Sequence, residues 1–170
     1  MRPRDPRVTA LTQHSGPPPH RVAFVVLGHP EPGGSKRSVG PGKIVDANKK
    51  VGPWRDSVAA AAALAMQEPA VPLMLGPLGV SFTFFVRRPL GHYRTGAHAG
   101  ELKGSAPHRP VTRPDVTKLV RAVEDACTSI VWRDDSQIVT QVCRKYYGEP
   151  ERCEVIVQAV TFNHNGGSSA

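Results

Sequence analysis

The sequence predicts a single domain that mixes α-helix and β-sheet, and three observations carry that expectation. The chain of 170 residues is long enough for one ordinary hydrophobic core and short for two. Four apolar, β-branched runs read as strands, and two segments of helical character interrupt them. With 39% hydrophobic and 21% charged residues the proportions are globular, while 17 prolines and 16 glycines call for several long loops.

Taken in order, residues 1–20 and 164–170 lack apolar periodicity and are rich in Pro, Gly and Ser, so they are expected as disordered tails around a domain at 21–163. RVAFVVLG (21–28) reads as a buried strand ended by HPEPGG, and residues 33–50, dense in Gly, Lys and Arg, read as a loop. PWRDSVAAAAALAMQ (53–67), with Pro53 near its start and a long alanine run, predicts a helix. In 78–89, Val80, Phe82, Phe84 and Val86 alternate with Gly79, Ser81, Thr83 and Phe85, which predicts a strand with one wet face. Residues 90–113 contain almost no aliphatics and are expected as a flexible loop or a segment ordered only by a ligand. From Asp115 the pattern turns helical, with Leu119, Val120, Val123, Ala126 and Cys127 on one stripe. Thr117, Lys118, Arg121, Glu124 and Asp125 fall on the other face, and Pro114 and Asp115 suit a helix entrance. The runs 136–147 and 153–162 read as a hairpin.

Several function classes drop out. The longest apolar stretch, VAAAAALAM (58–66), is about half of the roughly 20 residues a membrane span needs. The N-terminus has no apolar stretch of the kind a secretory signal carries, so a cytoplasmic protein is expected. Cys127, Cys143 and Cys153 lack metal-ligand spacing and are expected as reduced thiols at apolar positions. The seven histidines show no zinc spacing, and PGGSKRSVGPGK lacks the spacing of a nucleotide-binding loop. Trp54 and Trp132 are expected as core anchors.

The informative feature is a concentration of acids in a basic chain. The formal net charge is +8, yet Asp115, Glu124, Asp125, Asp134 and Asp135 all fall between residues 113 and 138. Two like charges at 4 Å repel by about 4 kcal/mol at an effective dielectric near 20, so converging carboxylates need a proton, a basic partner or a cation. If Asp115 meets the Asp134–Asp135 turn, the set offers hard oxygen ligands to Mg²⁺ or Mn²⁺. The plainer alternative is a set of surface acids, with Asp115 capping the helix and Arg121 paired to Asp125. Cations stand on both sides of the acids: Lys36, Arg37 and Lys43 in the first loop, then Arg87 and Arg88, Arg109 and Arg113. Lys118, Arg121, Arg133, Arg144 and Lys145 follow around the acids themselves. With a pI near 9.9, a polyanion is the expected partner.

The run RPDVTKLVRAVEDACTSIVWRDDSQI and the order of elements resemble the RusA-type Holliday junction resolvases of phages and prophages. Pro114, Asp115, Leu119, Asp125, Ala126, Trp132, Asp134, Asp135, Gln137 and Ile138 fall at matching positions. The resemblance implies a small α/β domain, a mixed sheet packed with two main helices, working as a homodimer. It implies Mg²⁺-dependent cleavage of paired strands at four-way DNA junctions, and a C₂ dimer would present one site to each strand. Asp115 and Asp135 would be metal ligands, Asp134 a ligand or its support, and Arg121 would take the place of a catalytic lysine. The 33–43 and 90–113 loops would hold DNA arms. Two positions depart from the pattern: its second aspartate is Thr117 here, and the following asparagine is Lys118. Glu124 is the available substitute acid, but it lies seven residues on, about 10 Å along a helix. The alternatives are a non-cleaving branched-DNA binder with a degenerate site, and a basic protein whose acids pair internally with Lys118 and Arg121.

Overall fold

The computed structural model describes residues 21–160 other than 35, 47, 68 and 69, and no side chains at 36, 37, 39 and 43–46. The expected tails at 1–20 and 164–170 lie outside the described residues. In chain order the elements are β1 (Arg21–Leu27), β2 (Lys36–Gly40), β3 (Lys43–Asp46), α1 (Val51–Gln67), β4 (Leu78–Val86), α2 (Val116–Cys127), β5 (Ile138–Tyr147) and β6 (Arg152–Ala159). Four strands form one mixed sheet in the order β1-β6-β4-β5, in which only β4 and β5 run parallel. The expected α+β architecture, with a mixed sheet and two main helices, is the one observed.

The register explains why the sheet has one dry face. Val22, Val157 and Val80 stand in one row across β1, β6 and β4; Phe24, Val155 and Phe82 form the next, and Val26, Cys153 and Phe84 the third. All nine are buried. Onto them α1 lays Val51, Trp54, Val58, Ala62 and Met66, at spacings of three and four, and α2 lays Leu119, Val120, Ala122, Val123, Ala126 and Cys127. Each large side chain buried this way stabilises by roughly 1.5–3 kcal/mol. Both tryptophans belong to this core, and Cys127 and Cys153 fill apolar positions as free thiols.

Three segments differ from expectation. Residues 136–147 and 153–162 do not form a hairpin, because β4 lies between β5 and β6. The strand richest in phenylalanine thereby hides both of its backbone edges, while β5, with Thr140, Gln141, Arg144 and Lys145, tolerates the edge position. The link between them crosses the end of β4, where the Gly148 amide donates to the Val86 carbonyl at 3.1 Å. The 33–50 loop contains the ribbon of β2 and β3, turned by Pro41 and Gly42 with Gly42 at φ +70°. Lys36, Arg37 and Lys43 lie on that ribbon, their side chains outside the described set. Residues 90–106 are held by their own bonds: Arg94 N donates to Glu101 O at 2.8 Å and Lys103 N to His92 O at 2.9 Å.

The crossover leaves no room for a side chain at Gly148, where an added Cβ would lie 2.7 Å from Phe85 Cδ1. Gly148→Ala is therefore expected to destabilise by about 1–3 kcal/mol in denaturant titration. A variant as stable as the parent would contradict this account of the crossover.

Candidate active site

Edge strand β5 and helix α2 lie side by side. Gln141, Cys143 and Lys145 stand opposite Val80, Phe82 and Phe84, so they share the helix-facing side of the sheet. There they meet α2: Gln141 donates to Glu124, and Lys145 Nζ donates to the carbonyls of Thr112 and Pro114, each at 2.8 Å. Four residues of strand span about 13 Å and the nine from Asp115 to Glu124 about 13.5 Å of helix, so strand and helix run side by side in step.

At one end Asp135 is fixed by the core. The indole N–H of fully buried Trp132 donates to Asp135 Oδ1 at 2.9 Å, and the Thr128 hydroxyl donates to the same atom at 2.7 Å. Both bonds fall on Oδ1, so Oδ2 has no donor among the described residues. The turn that carries Asp135 is clamped by Gln137. Its Oε1 accepts from the amides of Arg133 (2.8 Å) and Asp134 (3.1 Å), and its Nε2 donates to the carbonyls of Met74 and Gly76 (3.0 Å each). Glu124 faces Asp135 from α2. Burial first, and then the Asp135 charge, raise the Glu124 carboxyl above the ordinary glutamate range, against the Gln141 bond and Arg121. The same two acids add to burial in pushing the Cys127 thiol up to about 12.

At the other end Asp115 opens α2 with its backbone alone: its carbonyl accepts from Lys118 N and Leu119 N, while its carboxylate makes no capping bond. That carboxylate lies 3.8 Å from Lys118 Nζ and in the field of Lys145, whose pKa burial lowers and Asp115 raises, the burial prevailing. The cleft here, about 420 Å³, is lined by His29, Pro32, Arg113, Pro114, Asp115 and Lys118. The Pro-Gly-Gly loop docks beside it, with Gly33 N donating to Lys118 O at 2.9 Å and Gly34 packed under the Arg121 side chain.

The predicted residues thus fall into separate groups. Glu124 and Asp135 are brought near each other at Thr128, whose hydroxyl lies 3.1 Å from the Glu124 carbonyl and 2.7 Å from Asp135 Oδ1, with Arg121 one turn from Glu124. Asp115 stands with Lys118 and Lys145 at the far end. Asp134 caps its turn: its Oδ1 accepts from the Ser136 amide at 2.8 Å, which lowers its pKa. Asp125 does not pair with Arg121; Arg55 of α1 holds it. Thr117 is exposed on α2, Arg133 is exposed on the turn, and Arg109 lies 3.9 Å over the Tyr146 ring. Among the described residues no three acids, histidines or cysteines are close enough to hold a metal ion. The Glu124–Asp135 pair still fits Mg²⁺, which keeps several waters and takes one or two protein carboxylates. Sequence reading missed His29, Gln141, Glu151 and the clamp role of Gln137; Gln137 lay inside the matching run, but nothing local marked the other three.

Fold and site together define a small basic α+β domain with two carboxylates, Glu124 and Asp135, beside an edge strand and cations on either side. The family model for endodeoxyribonuclease RusA matches residues 28–158, and the chain belongs to that family. It is also 42% identical over 53 residues to the uncharacterized protein YqaN of Bacillus subtilis (strain 168). That match covers 31% of this chain and 37% of YqaN, so the chain spans about a third of that relative. No helix among the described residues is long and apolar enough to cross a membrane.

Glu151 braces the mouth of the Asp115 cleft. Its Oε1 accepts from His29 Nδ1 and from the Arg87 amide, both at 2.8 Å. Burial works to raise its pKa, but these bonds and charges prevail and lower it. A depressed carboxyl stabilises the fold above its unfolded pKa and loses that stabilisation as pH falls through its folded value. Glu151→Gln is therefore expected to cost about 1 kcal/mol at neutral pH. In urea titrations the gap from the parent should close as pH drops below about 4.3, the ordinary glutamate value.

Proposed function

We propose that this chain is a Mg²⁺-dependent endodeoxyribonuclease, also served by Mn²⁺, that resolves four-way DNA junctions during recombination or repair in the cytoplasm. The observation that carries this is the arrangement along α2: Glu124 and Asp135 at one end, the cleft with His29, Arg113 and Lys118 at the other, and Arg121 between them. Family membership and the chain's +8 charge support the same substrate. Glu124 and Asp135 would hold the metal, which when bound polarises a phosphodiester and supplies hydroxide for in-line attack.

The chain's own residues do the rest. Arg121 meets the charge that grows on the phosphate oxygens, gripping with two N–H groups where a lysine would offer one point charge. Lys118 and Lys145, oriented by Asp115, hold the neighbouring phosphate, with Arg113 and Arg109 leading the strand away. Asp134 and Gln137 keep the turn rigid so that Asp135 is presented in one position. In a homodimer two such sites would face two strands, and the helix-free face of the sheet, with Ala23, Val25, Val142 and Ile156, is the surface we assign to the second copy.

A second reading, a branched-DNA binder that does not cut, is favoured by Thr117 and by the lack of a third acid beside Glu124 and Asp135 among the described residues. A labelled four-way junction compared with matched linear duplex in Mg²⁺, Mn²⁺ or EDTA separates the two. Paired metal-dependent nicks at the branch support the nuclease; tight binding without nicks supports the binder. Asp135→Asn is expected to slow nicking at least about hundredfold with binding retained. If Thr117→Asp cuts where the parent does not, the binder reading holds for the parent.

A further inference from the structure

A second cleft, of about 640 Å³, lies beyond the first and is lined by Arg87, Arg88, Leu90, Tyr93, Arg94 and Glu149 among others. An adjoining hollow of about 350 Å³ shares Arg88, Tyr93 and Glu149 and adds Tyr147. Residues 87–113 carry six Lys and Arg against one Glu, so +5 of the chain's +8 sits on this segment. The segment contributes little to the core: its two short 3₁₀ turns, Leu90–His92 and Gly96–His98, bury no residue. Its order is internal, through Arg94 to Glu101 (2.9 Å), His98 to Glu101 (3.1 Å) and Lys103 Nζ to the Gly91 carbonyl (2.8 Å). A charged rim that adds little to the core is suited to a ligand.

The lining chemistry narrows that ligand. Arg88 is held by the Pro107 carbonyl (2.9 Å) and by the face of Tyr147 (4.0 Å), and Arg87 pairs with Glu149 at 3.1 Å. Phosphate alone would require cations and would be repelled by Glu149. A tyrosine face, an apolar Leu90 that is 86% exposed and a carboxylate acceptor beside two arginines suit a whole nucleotide instead. The arginines would meet its phosphate, Tyr93 and Leu90 its base plane, and Glu149, on leaving Arg87, an exocyclic amine. Base planes are hidden in duplex and exposed where strands part. The two clefts also share a wall, since Glu151 bonds His29 of the first and the Arg87 amide of the second.

Resting on the DNA-cutting reading above, we propose that this second cleft receives one unpaired nucleotide from the branch point, selecting branched over linear DNA. The test is binding in EDTA, which does not depend on cleavage, to a four-way junction carrying 2-aminopurine at the branch, and to linear duplex. Tyr93→Ala and Leu90→Ser are each expected to weaken junction binding about tenfold or more and leave duplex affinity within about twofold. Leu90 is too exposed for its substitution to unfold the chain, so it keeps the test decisive if Tyr93→Ala melts early. With the parent, 2-aminopurine fluorescence should change at the branch and stay constant when the label is moved into an arm. Equal losses for junction and duplex, no loss for either, or no fluorescence difference between the two label positions would each overturn the proposal. If instead the parent binds as expected but never nicks in Mg²⁺, the cutting reading fails while the subsite stands.

Discussion

The hydrogen bond from the Trp132 indole to Asp135 is the constraint on which the site depends. Trp132 is the largest fully buried side chain, and its single polar atom would cost about 1–3 kcal/mol if left without an acceptor. Asp135 provides that acceptor, so the packing of the core and the position of the acid are one problem with one solution. The Gln137 clamp and the Thr128 hydroxyl remove the remaining freedom. A carboxylate held this way stays near Glu124, whose own carboxyl is raised first by burial and then by the Asp135 charge.

The mixed sheet supplies the second half of the arrangement. Placing β4 in the centre sends β5 to the edge, where its helix-facing residues meet α2 and not another strand. Gln141 and Lys145, four residues apart, then reach the two ends of the helix. The same crossover brings the ends of β1, β4 and β5 together, and there Glu151 joins the Asp115 cleft to the arginine cleft.

Much of this was legible in the sequence. The alternation in β4 and the apolar stripe of α2 follow from local periodicity, and the Asp-Asp-x-Gln run marked the turn correctly. The strand order was not legible, because β5 and β6 have the pattern of a hairpin and only the competition for β4 decides otherwise. Asp125 looked like an intrahelical partner for Arg121, yet Arg55 reaches it across 70 positions of sequence, a contact that no helical spacing reveals. Distance along the helix ruled Glu124 out as a direct stand-in for the carboxylate missing at Thr117. The structure agrees in that Glu124 joins Asp135 at the opposite end from Asp115, and the joining required the turn to fold back onto α2.

The central claim is the proposed one, that Glu124 and Asp135 would hold a divalent cation. The most direct measurement is thermal unfolding of the intact chain and of Glu124→Gln as Mg²⁺ is titrated. The account predicts that the parent gains stability with Mg²⁺, by about 2.7 kcal/mol at a hundred times its Kd. Glu124→Gln should melt higher than the parent in EDTA and lose the response to Mg²⁺. A parent whose melting temperature ignores Mg²⁺, or a Glu124→Gln variant that responds as the parent does, would contradict it.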